Sequence, residues 1–457
     1  MMNRNTLIKK LTVLSLALFA FSAFYACTPE STEQFERHVQ TVDWAKNANI
    51  YEVNIRQYSP EGTFNAFAED IPRLQEMGVK ILWLMPIHPI GEVERKGTLG
   101  SYYSIQDFKA VNPEFGTKED LRNLVQKAHD HDMKVIIDWV ANHTAWDAVW
   151  TETNPEWYSR DEDGNFHPPV EDWSDVIQLD VNHPGMQEAM IEALEYWVRE
   201  FNIDGYRCDV AYMVPTDFWN RARARLDAIK PVFMLAEAEA PEHHVRAFDM
   251  SYAWEYAHII REIGAGNEGL DRLDYIMEKD LARFAKSDYR MYFTSNHDEN
   301  SWKGTDPGMF GDNFENFAVL SATVWGMPLI YNGQESILDK QLEFFEKDEI
   351  EWKNYELQPF YTTLLALNTN NTALWNGEYG GDFIRVHTDN DEVIYSYKRV
   401  NDTDEVFVIL NFSDSQEDFT FSEHQHGAFR NVFTDEVVAP EMTMTLPANS
   451  YLLLERI

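Results

Sequence analysis

KVIIDWVANH, residues 134–143, opens on a β-branched apolar run and ends in Asp138, Asn142 and His143. Apolar residues at consecutive positions suit a strand covered on both faces, as in a parallel sheet, rather than a half-exposed hairpin. Three other stretches are built the same way. GYRCD at 205–209 ends in Arg207 and Asp209, VFMLAE at 232–237 ends in Glu237, and YRMYFTSNHD at 289–298 ends in Asn296, His297 and Asp298. Outward from these, apolar runs at 50–55, 79–85, 247–252 and 328–331 complete eight candidate strands. Amphipathic segments lie between them, such as 186–201, where Met190, Ala193, Leu194 and Trp197 recur at helical spacing. Alternating units of this kind predict the α/β class and a closed (β/α)8 barrel, with reactive side chains at the C-terminal ends of the strands.

Between His143 and Asp180 the alternation stops, and the chain is rich in Trp, Pro, Asp and Gly. A long insert in a compact domain is usually functional, and one is expected here after the third strand, at about 144–180. Its Trp146, Trp150, Trp157 and Trp173 suit either a ligand platform or the insert's own small core. From residue 381 the pattern becomes short period-two runs, FIRVH, VIYSYK, EVFVILNF, MTMTL and SYLLLE. These predict a C-terminal antiparallel β-sandwich over 381–457, and leave 45–380 to the barrel and its insert.

The chain has 457 residues, 44% hydrophobic and 14% aromatic, enough for a large core and too apolar for a disordered chain. Asp and Glu number 77 against 38 Lys and Arg, a formal charge of −39 that repels nucleic acid and anionic membrane surfaces. Residues 1–26 combine Arg4, Lys9 and Lys10 with an apolar run from Leu11, the pattern of a secretory signal. Cys27 follows as the expected lipidation site, with 27–44 as a polar tether. The expected location is the cell envelope, in the periplasm or at the surface, with membrane attachment only through that lipid. Cys208 is the other cysteine of the chain, so lipidation of Cys27 leaves no intrachain disulfide.

Polar residues at four strand ends suggest carboxylate chemistry. Glycoside hydrolysis needs one ionised carboxylate and one protonated carboxyl across the scissile bond, and Asp209, Glu237 and Asp298 supply two and a third. Arg207 precedes Asp209 by two residues, so both point to one face of a strand, and its charge keeps the carboxylate ionised. Glu239 shares a strand face with Glu237 and competes with it. Cys208, on the opposite face, reads as a packing residue.

Taken in order, DWVANH, GYRCD, AE and NHD resemble the conserved regions of the α-amylase family, glycoside hydrolase family 13, and the resemblance extends over about 45–457. It implies Asp209 as nucleophile, Glu237 as acid/base, and Asp298 as the carboxylate that holds sugar hydroxyls. His143 and His297 would contact the same sugar, Tyr103 would stack beneath it with Tyr102 as its adjacent alternative, and Asp138 would hold Arg207. The family's calcium site would use Asn142 and Asp180, with Met213 standing where the family places a histidine. The implied substrate is a starch-type α-glucan or maltooligosaccharide, cleaved at α-1,4 or α-1,6 bonds with retention. Transglycosylase, α-glucosidase and non-catalytic glucan-binding roles stay open at this point.

Overall fold

The computed structural model describes residues 39–457, so Cys27 and the expected signal lie outside the described residues. Ten strands come first in chain order: β1 (Ile50–Val53), β2 (Ile81–Leu84), β3 (Lys134–Val140), β4 (His143–Ala145), β5 (Val176–Gln178), β6 (Gly205–Asp209), β7 (Phe233–Ala236), β8 (Met250–Tyr252), β9 (Tyr289–Tyr292) and β10 (Met327–Tyr331). All but β4 and β5 close a parallel barrel in the order β1-β10-β9-β8-β7-β6-β3-β2.

Period two sorts the side chains of each barrel strand into two layers. Ile50, Ile81, Trp83, Ile136, Phe233, Leu235 and Met291 fill the interior. Tyr51, Leu82, Ile137, Trp139, Tyr206, Cys208 and Met234 face the helices. Continuing the inward set toward the C-terminal ends gives Glu52 on β1, Asp138 on β3, Arg207 and Asp209 on β6, and Glu237 just past β7. The polar ends of apolar strands thus converge at one mouth. At the other end, Val42 and Ala45 are buried and Trp44 packs on Phe233 at 5.7 Å. Val42 and Trp44, expected within the tether, therefore belong to the barrel's floor, because their apolar side chains cover the interior layer.

Helices cover the outside of the barrel. Lys118–Asp130 begins with a capping box between Thr117 and Asp120 and buries Leu121, Leu124, Val125 and Ala128. The insert is less irregular than its composition suggested: β4 and β5 pair antiparallel and frame a short helix at Val149–Thr153. Trp150 packs on Trp157 at 5.2 Å and on Phe108 at 4.8 Å, so those rings form the insert's core.

The C-terminal region has β11 (Asp382–Val386), β12 (Ile394–Val400), β13 (Glu405–Asn411), β14 (Glu417–Thr420), β15 (Phe429–Asn431), β16 (Val437–Val438), β17 (Thr443–Leu446) and β18 (Ser450–Arg456). A six-stranded sheet, β11-β12-β13-β18-β15-β16, faces the β14-β17 pair across Phe407, Ile409, Phe419, Phe421 and Leu446. The short strands β14 to β16 were not anticipated from sequence, where their few apolar residues are scattered among polar ones.

Candidate active site

Arg207 organises the barrel mouth. Its Nη1 donates to Asp138 Oδ1 at 2.9 Å and to Asp209 Oδ1 at 2.8 Å, while Nε donates to the Tyr252 hydroxyl at 3.0 Å. Nη2 lies 2.9 Å from Glu237 Oε2, an ion-pair contact without the alignment of a hydrogen bond. One fully buried guanidinium therefore spaces Asp209 and Glu237. The same Glu237 oxygen accepts the Val210 amide at 2.8 Å. Val210 has φ +35°, an unfavourable conformation for a β-branched residue, and that twist lets the amide next to Asp209 turn toward Glu237.

Two carboxyl groups on one guanidinium have different environments. Burial pushes the Glu237 carboxyl up, against the lowering effect of Arg207, and nearby Asp209 and Asp298 raise it further, to about 8. Asp209 instead holds a direct hydrogen bond from Arg207. Asp298 is more open, with 36% of its side chain exposed against 10% for Asp209 and 12% for Glu237. Glu239 is elsewhere: it pairs with Arg290 at 2.8 Å and accepts the Glu255 amide, outside the cleft.

His297 is fixed from three sides. Glu52 Oε1 meets Nδ1 at 2.5 Å, the Tyr103 hydroxyl meets Nε2 at 2.8 Å, and Asp298 Oδ2 is 3.3 Å from Nε2. Burial lowers the imidazole's affinity for its proton, but Asp298 and Glu52 outweigh burial and raise it to about 9. The ring is therefore an imidazolium that donates from both nitrogens. Tyr103 passes the network on by donating to Asp138 Oδ2 at 3.1 Å, and Trp83 Nε1 donates to the same oxygen at 3.2 Å. Glu52 and Tyr252 were missed from sequence. The signal for Glu52 was an acidic residue inside the apolar β1, on the same face as Ile50.

These groups line a cleft of about 570 Å³ that brings together Tyr103, His143, Asp209, Glu237, His297 and Asp298. Tyr103, not Tyr102, faces it. The Tyr102 ring lies under the Arg56 guanidinium at 4.1 Å, and the cleft-lining residues do not include it. Trp173 lines the cleft beside His143, whose imidazole burial holds below its usual value. Cys208 is buried on the helix side, its thiol pushed up by burial, away from the chemistry.

Asn142 and Asp180 do not reach the cleft lining. The Asn142 carbonyl accepts from Leu179 N, the residue before Asp180, while Asp180 N donates to the Trp157 carbonyl and its Oδ1 accepts the Asn182 amide. Calcium takes about six to eight oxygen ligands. Among the described residues no group of three or more His, Cys, Asp or Glu side chains is placed to hold a metal. No step below passes through a metal.

The model of the α-amylase catalytic domain matches residues 32–174 and 154–407, and that of the cyclo-malto-dextrinase C-terminal domain matches 388–455. The crystal structure of a noncanonic maltogenic α-amylase, AmyB from Thermotoga neapolitana, is 31% identical with a TM-score of 0.82, covering 91% of this chain and 99% of that one. An α-amylase structure from Lactobacillus plantarum is 30% identical with a TM-score of 0.82, covering 91% of this chain and all (100%) of that one. Alpha-amylase MalA of Haloarcula japonica is 26% identical over 390 residues, 81% of this chain, which spans 56% of MalA's length. With the catalytic-domain model spanning most of the chain and two whole relatives superposing on it, the protein is a member of the α-amylase family of glycoside hydrolases.

Proposed function

We propose that this enzyme hydrolyses α-1,4-glucosidic bonds of maltooligosaccharides and related starch fragments, with retention of configuration and with α-1,6 bonds as secondary targets. The observation that carries the proposal is Asp209 and Glu237 held on the two terminal nitrogens of one guanidinium. That pairing favours the ~5–5.5 Å carboxyl separation of retaining enzymes over the ~6.5–9.5 Å of inverting ones. Asp209, held by the Arg207 guanidinium, attacks the anomeric carbon. Glu237, protonated through its raised affinity for the proton, gives that proton to the leaving oxygen and then draws one from the water that releases the sugar. The His297 imidazolium and Asp298 hold the hydroxyls of the cleaved sugar, and Tyr103 offers its ring to the apolar sugar face.

The C-terminal match to cyclomaltodextrinases supports short linear or cyclic glucans as substrates. Export, with a lipid on Cys27, belongs to the same proposal and rests on the sequence pattern around that residue. It is checked by radiolabelled fatty-acid incorporation, expected for the native chain and lost in Cys27→Ser. Calcium has no part in the proposal. The catalytic reading is tested by mass and NMR analysis of products from maltoheptaose and pullulan. Shorter maltooligosaccharides that first appear as α-anomers are expected; first-formed β-anomers, or no cleavage, contradict it.

A further inference from the structure

The circular strand order gives the cleft a direction. β7, whose end carries Glu237, stands opposite β1, and β2 and β10 flank β1. Glu237 protonates the leaving oxygen, so the leaving portion of the substrate lies on the β7 side. The sugars that stay on Asp209 extend toward the loops after β2 and β10. Those loops are joined into a wall.

The loop at residues 91–100, after β2, lies tightly against residues 345–346, after β10. Leu99 N donates to Phe345 O at 3.0 Å, and Thr98 N donates to Glu346 Oε1 at 2.9 Å. Gly97, with φ +62°, allows the approach, since a Cβ there would stand 2.5 Å from Phe345 Cβ. From below, Arg56 donates to the carbonyls of Leu99 and Gly100 at 3.1 and 3.0 Å. Lys96 then crosses to the insert. Its Nζ donates to the Asp172 carbonyl, pairs with Asp175 at 3.2 Å, and sits 6.0 Å from the Phe345 ring centroid. Lys96, Asp172, Asp175 and Phe345 all line the catalytic cleft. At the foot of this wall Trp302, 54% exposed, lies against Phe344 at 5.5 Å. A large aromatic ring left open to solvent inside a sugar cleft offers a platform for a sugar face.

We propose that the Lys96 bridge closes the end of the cleft opposite Glu237, so that the enzyme takes α-glucan chains by their non-reducing ends, with the terminal sugars resting on Trp302. Endo cleavage would need the chain to run past Lys96 and Phe345, where the joined loops stand. The inference rests on the catalytic reading above, since the direction of the cleft follows from the role of Glu237.

The test uses two maltoheptaosides, one free and one with its terminal 4- and 6-hydroxyls bridged by an acetal, with total cleavage followed by mass spectrometry. The native enzyme is expected to cleave the free substrate and reject the blocked one by roughly 100-fold or more, because the blocked end meets the wall. Equal rates overturn the inference and leave the catalytic reading standing. Cleavage of neither removes the catalytic reading itself. In Lys96→Ala the blocked substrate is expected to gain at least about tenfold relative to the free one, with an unchanged melting temperature. Unchanged selectivity in that stably folded variant would overturn the role given to Lys96.

Discussion

At the scale of single residues the chemistry depends on one cation serving three carboxyl groups unequally. Arg207 forms aligned hydrogen bonds with Asp138 and Asp209 but only an unaligned contact with Glu237. Glu237, largely out of water, is thus the group that keeps its proton. On glucans with poor leaving groups, Glu237→Gln is expected to lower kcat by roughly 10²–10⁴-fold. The first step on an activated glycosyl fluoride should suffer far less, because fluoride needs no proton. Equal losses on both would place the acid elsewhere.

The same group sets a pH dependence of stability. The folded carboxyl holds its proton more tightly than the unfolded one, whose value is near 4.5. Its contribution is present in full below that value and is lost as pH rises through about 8. Replacing Glu237 with Gln removes this loss, so the variant's melting temperature should gain on the native enzyme from pH 5 toward pH 9. A constant difference across that range would show that Glu237 is not perturbed. Asp209, Glu237 and Asp298 were legible because strand ends and family spacing both pointed to them. Glu52 was not, since its importance comes from reaching His297 across 245 positions of sequence.

At the scale of elements, the site depends on strand register. Gly205 opens β6 opposite Phe233 of β7, and a Cβ there would lie 1.8 Å from the Phe233 carbonyl oxygen. Gly205→Ala must push the two strands apart at the base of the pair that carries Asp209 and Glu237. A cost of about 1–3 kcal/mol or more is expected, with a fall in kcat, measured by chemical denaturation and steady-state kinetics. A variant as stable and active as the native chain would show that this contact is slack. The eight barrel strands were legible because covered parallel strands are continuously apolar. The pairing of β4 with β5 was not, because its partners, His143–Ala145 and Val176–Gln178, are separated by thirty residues of mixed composition. The Lys96 wall was equally hidden, since it joins three loops distant in sequence.

At the scale of the whole molecule, barrel and C-terminal sheets share buried contacts. Arg399 of β12 is fully buried and donates to the carbonyls of Val324 at 2.6 Å and Gly381 at 3.1 Å. Thr323 and Tyr397 hydroxyls meet at 2.5 Å, and Asn316 donates to the Asn411 carbonyl at 2.8 Å. Replacing Arg399 with Leu would strand these carbonyls, at about 1–3 kcal/mol each, and should lower the melting temperature of both parts together. Loss of the C-terminal sheets while activity persists would contradict this coupling. Alternating strand patterns indicated that two such regions exist, but not that polar side chains join them.

In the proposed chemistry Asp209 forms the covalent bond to sugar while Glu237 moves the protons. The most direct test incubates Glu237→Gln with α-maltosyl fluoride and maps the product by peptide mass spectrometry. The activated substrate can form the glycosyl-enzyme without an acid, and the variant lacks the base to release it. One maltosyl unit is expected on the peptide that carries Asp209; an adduct on another carboxylate, or turnover to β-maltose with no adduct, would overturn the roles given to Asp209 and Glu237.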